Sequence, residues 1–252
     1  MKFFIVILAI AGITCQAQEL NFINSVEVEE RIVGGEFAEE GQFPHQVALF
    51  RDNRFSCGGS IVGERFVLTA AHCVYDSNGR LIPTRSLTVL SGSTNLENGT
   101  FHSVRRISPH HQYGNFENDI ALLKISDKFE FDNFTQPIEL SRNHVGPNTV
   151  VELSGWGRVG TEDEISFDLK FTTAHAVGEK KCREVTGVQN GILCLESADD
   201  EGVCFGDSGG PATANGKLVG VANFIVDECG TAHPDGYASV AYFYDWIVKR
   251  LK

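Results

Sequence analysis

Three short motifs lie far apart in the chain and supply, in order, a histidine, an aspartate and a serine. They are TAAHC at 69–73, NDIALL at 118–123 and GDSGGP at 206–211. A serine hydroxyl is a poor nucleophile unless a base lies within hydrogen-bond reach, and an imidazole held by a buried carboxylate is such a base. Each motif alone is compatible with ordinary structure. Together they predict a fold that brings His72, Asp119 and Ser208 into one site for nucleophilic catalysis.

The sequence between these motifs favours a protein built from strands. Short runs rich in β-branched and apolar residues alternate with turn sequences such as DSNG at 76–79. The runs cover residues 46–50, 66–69, 87–91, 120–125, 150–154, 217–222 and 237–240. The end of the chain, 241–252, has a helical period that places Phe243, Trp246 and Ile247 on one face. The pattern predicts all-β barrels or sandwiches followed by a terminal helix that packs on the core.

The motifs resemble those of the chymotrypsin family of serine proteases. The resemblance runs from RIVGG at 31–35 to YFYDWI at 242–247 and includes CGGS at 57–60 and SGWG at 154–157. The order histidine, aspartate, serine is that of chymotrypsin and differs from the order in subtilisins and α/β-hydrolases. The resemblance implies an all-β fold of two six-stranded antiparallel β-barrels with a C-terminal helix. The protease domain would span 32–252, with the boundary between its barrels near 137–148.

The resemblance also assigns roles to the site residues and implies a serine endopeptidase. Ser208 would attack the scissile carbonyl, His72 would take its proton and Asp119 would orient the imidazole. The backbone N–H groups of Gly206 and Ser208 would bind the oxyanion. No cofactor is expected. The alternative is a protease-fold binding protein with weak or no catalysis, although a pure binder needs neither the three side chains nor an activation site.

The first residues predict a targeting signal. Lys2 precedes an apolar run at 3–13, and small residues at Cys15 and Ala17 favour cleavage after residue 17. The alternative is a membrane anchor, but spanning a bilayer takes about 20 apolar residues and this run is shorter. Residues 1–17 are therefore predicted to be a signal peptide, and the processed protein is expected to be secreted and extracellular.

Residues 18–31 lie between the predicted signal peptide and the family landmark, and they end in EVEER. One interpretation is a solvated leader without a role. The resemblance implies the other interpretation, an activation propeptide of a zymogen. Cleavage after Arg31 would free the amine of Ile32, which would become buried and pair with Asp207. That ion pair would hold the serine loop in its active shape.

The cysteine count fits a secreted protein. Seven cysteines are present, and Cys15 falls in the predicted signal peptide. An even number in a secreted chain indicates disulfides, but spacing alone leaves many pairings open. Zinc binding is the alternative, and the absence of a C-x-x-C pair in the sequence argues against it. The resemblance implies the disulfides Cys57–Cys73, Cys182–Cys194 and Cys204–Cys229.

Charge and short motifs bear on the partners of the protein. The formal net charge of −12 argues against nucleic acid or an anionic membrane as partner. The resemblance implies polypeptide substrates, with serpins or Kunitz-type proteins as candidate inhibitors, and a monomer. Two sequons, at Asn98 and Asn133, predict glycan sites.

Metal binding is not expected. The family's calcium-binding loop uses acidic ligands, and the matching stretch at 92–95 lacks the first of them. The pair His110-His111 could contact a metal, but a solvated loop is the preferred interpretation.

The substrate pocket departs from the family pattern. The residues that the resemblance assigns to it are Gly202, Val203, Phe205, Asn223, Phe224, Ile225 and Asp235. Trypsins carry aspartate where this chain has Gly202, so the preference at P1, the residue that precedes the scissile bond, is not expected to be trypsin-like. Gly202 with Asp235 resembles the brachyurins, collagenolytic digestive proteases of arthropods, whereas elastases carry valine at the position of Ile225. These features predict a preference for small or medium uncharged P1 residues. Asn223 stands where the family has a serine that supports the triad aspartate.

Overall fold

The computed structural model describes residues 35–114, 116–158, 164–188, 190–198, 202–231 and 233–252. The predicted signal peptide, the predicted propeptide and the activation residues Arg31 and Ile32 lie outside the described residues. The fold is two closed six-stranded antiparallel β-barrels with a short C-terminal helix, which confirms the predicted fold class.

The elements are named in chain order. The strands are β1 (Glu36–Phe37), β2 (Gln46–Arg51), β3 (Arg54–Gly63), β4 (Phe66–Thr69), β5 (Leu87–Ser91), β6 (Thr100–Pro109), β7 (Ala121–Ile125), β8 (Glu139–Leu140), β9 (Val150–Gly155), β10 (Lys170–Ala176), β11 (Ile192–Glu196), β12 (Pro211–Ala214), β13 (Lys217–Phe224) and β14 (Asp235–Ser239). The helices are α1 (Glu179–Thr186) and α2 (Val240–Val248), with 3₁₀ turns at His72–Val74 and Thr84–Ser86.

The first barrel follows the order β2-β3-β4-β7-β6-β5 and closes by pairing β2 with β5. Its interior is filled by alternate apolar side chains such as Val47, Val67 and Leu123, all fully buried. Register shifts between β2 and β3, β3 and β4, and β6 and β7 supply bends that closure requires. Thr69 of β4 lies opposite Ala121 of β7. The segments that follow β4 and precede β7 therefore leave the barrel at the same edge.

The second barrel follows the order β9-β10-β11-β14-β13-β12, and β12 pairs back to β9. Its core includes Val151, Leu153 and Tyr237. The strand β1 extends this sheet beside β10, and β8 runs parallel to β13. The connection between the barrels runs from the end of β7 to the start of β9 and contains the expected boundary at 137–148. The division of the chain into domains stays a prediction.

The terminal helix α2 begins one residue before the predicted range and ends at Val248. Phe243 and Ile247 are buried in the same cluster as the core of the first barrel, and Trp246 packs against that cluster. A helix that follows the second barrel thus covers the first one. No helix in the described part of the chain is long and apolar enough to cross a membrane.

The sequence pattern did not predict α1. Its eight residues are mostly polar, and Cys182 is its one buried side chain. A helix this short with a single buried residue shows no apolar period. It ends at Gly187, whose φ of 71° is the left-handed conformation common after a helix.

The structure forms the three disulfides that the resemblance implied. Cys57–Cys73 joins β3 to the turn that contains His72, and Cys182–Cys194 joins α1 to β11. Cys204–Cys229 joins the serine loop to the segment after β13. Two of the three bridges therefore brace segments that carry predicted site residues.

Candidate active site

His72 and Asp119 meet at one edge of the first barrel. His72 follows the end of β4, and Asp119 precedes β7, the strand that pairs with β4. The Nδ1 atom of His72 lies 2.6 Å from Asp119 Oδ2, and the backbone N–H of His72 donates to Asp119 Oδ1 at 2.8 Å. The side chain of Asp119 is 1% exposed, whereas that of His72 is 32% exposed. A proton on Nδ1 leaves the Nε2 lone pair on the opposite side of the ring, where it can act as a base.

Ser208 lies on a loop that contacts both barrels. Its carbonyl accepts a hydrogen bond at 2.8 Å from the N–H of Gly58 in β3. The N–H of the next residue, Gly209, donates to the carbonyl of Ala222 in β13 at 2.7 Å. The position of the serine is therefore fixed by backbone bonds to the first barrel on one side and to the second on the other.

Close packing of glycines allows this contact. A Cβ on Gly58 would lie 2.9 Å from the Cα of Gly210, closer than two carbon atoms can approach. Gly209 has a φ of 78°, and a Cβ there would overlap Thr69. Glycines at 58 and 209 are thus required by the close packing of the serine loop on the first barrel, and Gly209 is also required by its positive φ.

His72, Asp119 and Ser208 line one cleft with a volume of about 640 Å³. The cleft also contains Asp207 and Phe205 of the serine loop. The structure therefore brings the three predicted side chains, which lie far apart in the sequence, to one cavity. The side chain of Phe205 is exposed, and the Arg158 guanidinium lies 5.8 Å from its ring centre.

Asp207 is a buried acid beside the serine. Its side chain accepts hydrogen bonds from the backbone N–H of Gly157 at 2.7 Å and of Cys204 at 2.9 Å. A Cβ on Gly155 or Gly157 would overlap the carboxylate, so both glycines of the SGWG motif are needed to admit it. Burial raises the pKa of Asp207 to about 6, although the two N–H donors act in the opposite direction.

Gly206 directly precedes Asp207 in the loop motif and has a φ of 107°, a conformation that residues other than glycine rarely adopt. A Cβ at this position would lie 3.1 Å from the Cα of Gly157 and 3.2 Å from the ring of Phe55. The N–H of Arg158 donates to the carbonyl of Phe205 at 2.8 Å. The predicted oxyanion donor is therefore held in a narrow space between two segments.

Five of the predicted pocket residues line the cleft, namely Val203, Phe205, Asn223, Phe224 and Ile225. Gly202 and Asp235 are not among its described lining residues. They lie beside each other, because a Cβ on Gly202 would be 3.9 Å from a carboxylate oxygen of Asp235. Ile225 packs against the apolar core of the second barrel.

Asp235 is partly buried. Its Oδ1 accepts a hydrogen bond from the N–H of Val226 at 3.1 Å. Burial raises the pKa of Asp235 to about 7, and the bond from Val226 offsets only part of that effect. Tyr237, buried in the same barrel, has its pKa raised by burial and by the charge of Asp235.

Sequence reasoning missed part of the wall of the cleft. This part includes Tyr113, Phe116, Val185, Thr186 and Val188. These residues belong to a loop before Asp119 and to the unpredicted helix α1 with the segment after it, and none of them lies in a motif. The resemblance implied a serine that supports Asp119 at the position of Asn223. Asn223 instead donates a hydrogen bond from Nδ2 to the carbonyl of Phe116 at 2.9 Å.

Other predicted features can be placed. The interpretation of His110-His111 as a solvated loop is wrong for His110, which is buried against Phe243 and Trp246 of α2. Within the described residues, one group has metal-ligand spacing, Cys57, His72 and Cys73, but both cysteines are in a disulfide. The sequon residues Asn98 and Asn133 are exposed, and their glycosylation stays a prediction.

A pH dependence of stability follows from Asp235. The folded state keeps a proton on this carboxyl up to about pH 7, whereas the ordinary pKa of 3.8 applies when the chain is unfolded. Stability from this group is therefore full below pH 3.8 and is lost as the pH rises to about 7. Asp235→Asn keeps an acceptor for Val226 and cannot ionise. As the pH rises from 4 to 7, the free energy of unfolding of the variant should increase relative to that of the unchanged protein by about 2 kcal/mol.

Urea unfolding of both proteins across this range measures the difference. Burial lowers the pKa of His45 to about 4, so the contribution of His45 to stability increases with pH. The comparison removes this contribution, because it is the same in both proteins. Parallel curves for the two proteins would contradict the assignment.

The chain is similar in sequence and in fold to known serine proteases. The family model described as Trypsin matches residues 32–247. Serine protease SP24D of Anopheles gambiae is 49% identical over 223 residues, which cover 88% of this chain and 82% of that protein. Brachyurin of Leptuca pugilator is 34% identical, and the match covers 86% of this chain and 96% of brachyurin.

A solved structure of neuropsin, a serine protease expressed in the limbic system of mouse brain, superposes with a TM-score of 0.79. Neuropsin is 26% identical to this chain, and the match covers 86% of this chain and 99% of the neuropsin chain. With the fold and the cleft, these matches show that the chain belongs to the trypsin family of serine proteases.

Proposed function

We propose that the protein hydrolyses peptide bonds within polypeptides by nucleophilic attack of Ser208. The observation that carries this proposal is the hydrogen-bonded pair of His72 and the buried Asp119, which lies in the same cleft as the serine. Asp119 keeps the proton of His72 on Nδ1, so that Nε2 accepts the serine proton during attack and delivers it to the leaving amine. Water then repeats the sequence and releases the acyl group.

The oxyanion that forms during attack needs donors that are already in place. Gly206 and Ser208 are the proposed donors through their backbone N–H groups. The narrow space around Gly206, beside Gly157 and the ring of Phe55, supports this role, because it restricts the loop before substrate binds. Removing one such donor typically costs about 2.7–4 kcal/mol of barrier.

Activation by cleavage after Arg31 is part of the proposal. The carboxyl of Asp207 is fully buried, and its raised pKa reflects the cost of holding a charge there. A new amine at Ile32 would supply a cation, and an ion pair would lower that cost. The propeptide at 18–31 would then act as a block on catalysis that is removed after secretion.

Secretion itself, through the signal peptide at 1–17, is proposed from the sequence alone. The same is true of glycans at Asn98 and Asn133, of a monomeric state, and of inhibition by serpins or Kunitz-type proteins.

The P1 preference is proposed to be small or medium and uncharged. Ile225 lines the cleft and is backed by the core of the second barrel, so it cannot easily move aside for a large ring. Gly202 carries no charge to anchor lysine or arginine. Burial raises the pKa of Asp235 to about 7, which weakens the negative charge that this residue presents at neutral pH.

The central test is labelling of Ser208 with a fluorophosphonate, which phosphonylates an activated serine and releases fluoride. The chain, cleaved after Arg31, should label and should hydrolyse casein or a peptide library. Ser208→Ala should lose labelling and nearly all hydrolysis, because the nucleophile is absent. The exposed Ser77→Ala is the matched control and should behave as the unchanged protein. If the cleaved protein neither labels nor hydrolyses, the alternative of a protease-fold binding protein replaces the proposal.

Specificity is tested by kcat/KM over peptides that differ only at P1. Ala, Val and Leu should be cleaved best, and Ile225→Gly should raise cleavage after Phe by about tenfold or more, since a steric barrier is removed. Ile225→Val keeps a branched side chain and serves as the control, with little change for Phe. Best cleavage of the unchanged protein after Arg or Lys would show that Asp235 governs the pocket instead.

A further inference from the structure

Two exposed phenylalanine rings lie beside the predicted glycan site at Asn133. The segment after β7 contains three phenylalanines, and of these only Phe129 enters the core of the first barrel. Phe131 is 40% exposed and Phe134 is 43% exposed. Single exposed rings are common on protein surfaces. Two within four residues, with the acceptor asparagine between them, form an apolar patch that the polypeptide leaves open to solvent.

Asn133 is exposed in the middle of a turn that Asp132 holds in shape. The Oδ1 atom of Asp132 accepts hydrogen bonds from the backbone N–H groups of Phe134 and Thr135, both at 2.8 Å. The backbone N–H of Asp132 donates to the carbonyl of Thr135 at 3.1 Å. An aspartate whose carboxylate binds the N–H groups that follow it stabilises a turn. The backbone that carries Asn133 is therefore fixed by these bonds.

The turn is also anchored to the first barrel. Thr135 is 6% exposed, and a Cβ on Gly92 would lie 2.9 Å from its hydroxyl oxygen, so the threonine packs directly on the end of β5. The backbone N–H of Gln136 donates to the carbonyl of Pro44 at 2.9 Å. The turn belongs to the connection between β7 and β9, which joins the two barrels. A sugar on Asn133 would thus be attached at a fixed place on this connection.

We propose that an N-linked glycan at Asn133 is a structural part of this protein, and that its first sugar packs on the ring of Phe131. The inference goes beyond peptide hydrolysis and rests on the proposed glycosylation of the sequon. Cα atoms two residues apart are at most about 7 Å from each other, so the sugar and the ring are within reach. The C–H groups on one face of a sugar are attracted to the electron-rich face of an aromatic ring. The contact covers the ring and stabilises the connection between the barrels.

The other sequon lacks this arrangement. The residue two positions before Asn98 is Leu96, which is 5% exposed and packs in the cluster that contains Trp156. A buried leucine offers no surface to a sugar, whereas Phe131 holds an exposed ring at the same spacing from Asn133. We therefore expect the stabilisation that depends on Phe131 to come from the Asn133 glycan alone.

The test is thermal unfolding of the full chain secreted from a eukaryotic cell line, with Ser208→Ala in every sample to prevent self-digestion. Peptide mass spectrometry should find the glycan on Asn133. Its removal in Asn133→Gln should lower Tm by about 2–4 °C, the shift expected from losing one aromatic contact in a domain of this size. Trimming the glycan to its first sugar with an endoglycosidase should leave Tm unchanged, because the first sugar makes the contact.

A double-mutant cycle separates this contact from the general effects of a glycan on the unfolded chain. In a Phe131→Ala background, Asn133→Gln should lower Tm by less than about 1 °C, because the ring is already absent. Tyr242→Ala is the matched control, since Tyr242 is 51% exposed and lies in α2, and Asn133→Gln should keep its full effect in that background. Asn98→Gln should leave the coupling between Asn133 and Phe131 unchanged.

The inference can fail separately from the proposed peptidase function, because none of these measurements needs catalysis. An unoccupied Asn133 in the secreted protein would overturn it. So would a loss of Tm of the same size with and without the Phe131 ring, or a fall in Tm when the glycan is trimmed to its first sugar. A loss that depends on Phe131 supports the inference even if the protein carrying Ser208 hydrolyses nothing.

Discussion

The buried carboxylate of Asp207 is the contact on which the active-site loop depends. It is tied to the backbone of Gly157 and Cys204, and the two glycines of the SGWG motif leave the space that it occupies. Its neighbours in sequence are Gly206 and Ser208, so any change in this contact moves both a proposed oxyanion donor and the proposed nucleophile. A single acid in an apolar setting therefore links charge, loop geometry and the proposed catalysis.

The two barrels meet where backbone packs on backbone. The glycine contact of Gly58 with Gly210 lies beside the serine, and deeper in the interface Ser154 of β9 donates to Gln46 of β2 at 2.8 Å. Both members of that second bond are buried. Such contacts fix the position of one barrel's His72 relative to the other barrel's loop without using the large side chains that line the cleft. This arrangement leaves the cleft walls free to vary in specificity.

The strand pattern predicts an all-β fold, because alternation and turn residues report local burial directly, whereas the two six-stranded barrels were implied by the resemblance. The three motifs together predicted that His72 and Asp119 meet, but the geometry of their contact depends on the register of β4 with β7, which leaves no local pattern. The wall at Phe116 could not be predicted. Its turn carries a large residue at a φ of 63°, where glycine is favoured, and the bond to its carbonyl comes from Asn223, distant in sequence. His110 was misjudged because burial against α2 is a tertiary effect that leaves no local pattern.

The central proposal is that the serine loop becomes active only when a new amine at Ile32 pairs with the buried Asp207. The direct measurement is the rate of fluorophosphonate labelling of Ser208 in the chain before and after trypsin treatment, beside Arg31→Gln, with N-terminal sequencing of each sample. The account predicts fast labelling only in samples whose new N-terminus is Ile32, and slow labelling of Arg31→Gln after the same treatment. Equally fast labelling of an uncut Arg31→Gln protein would contradict it.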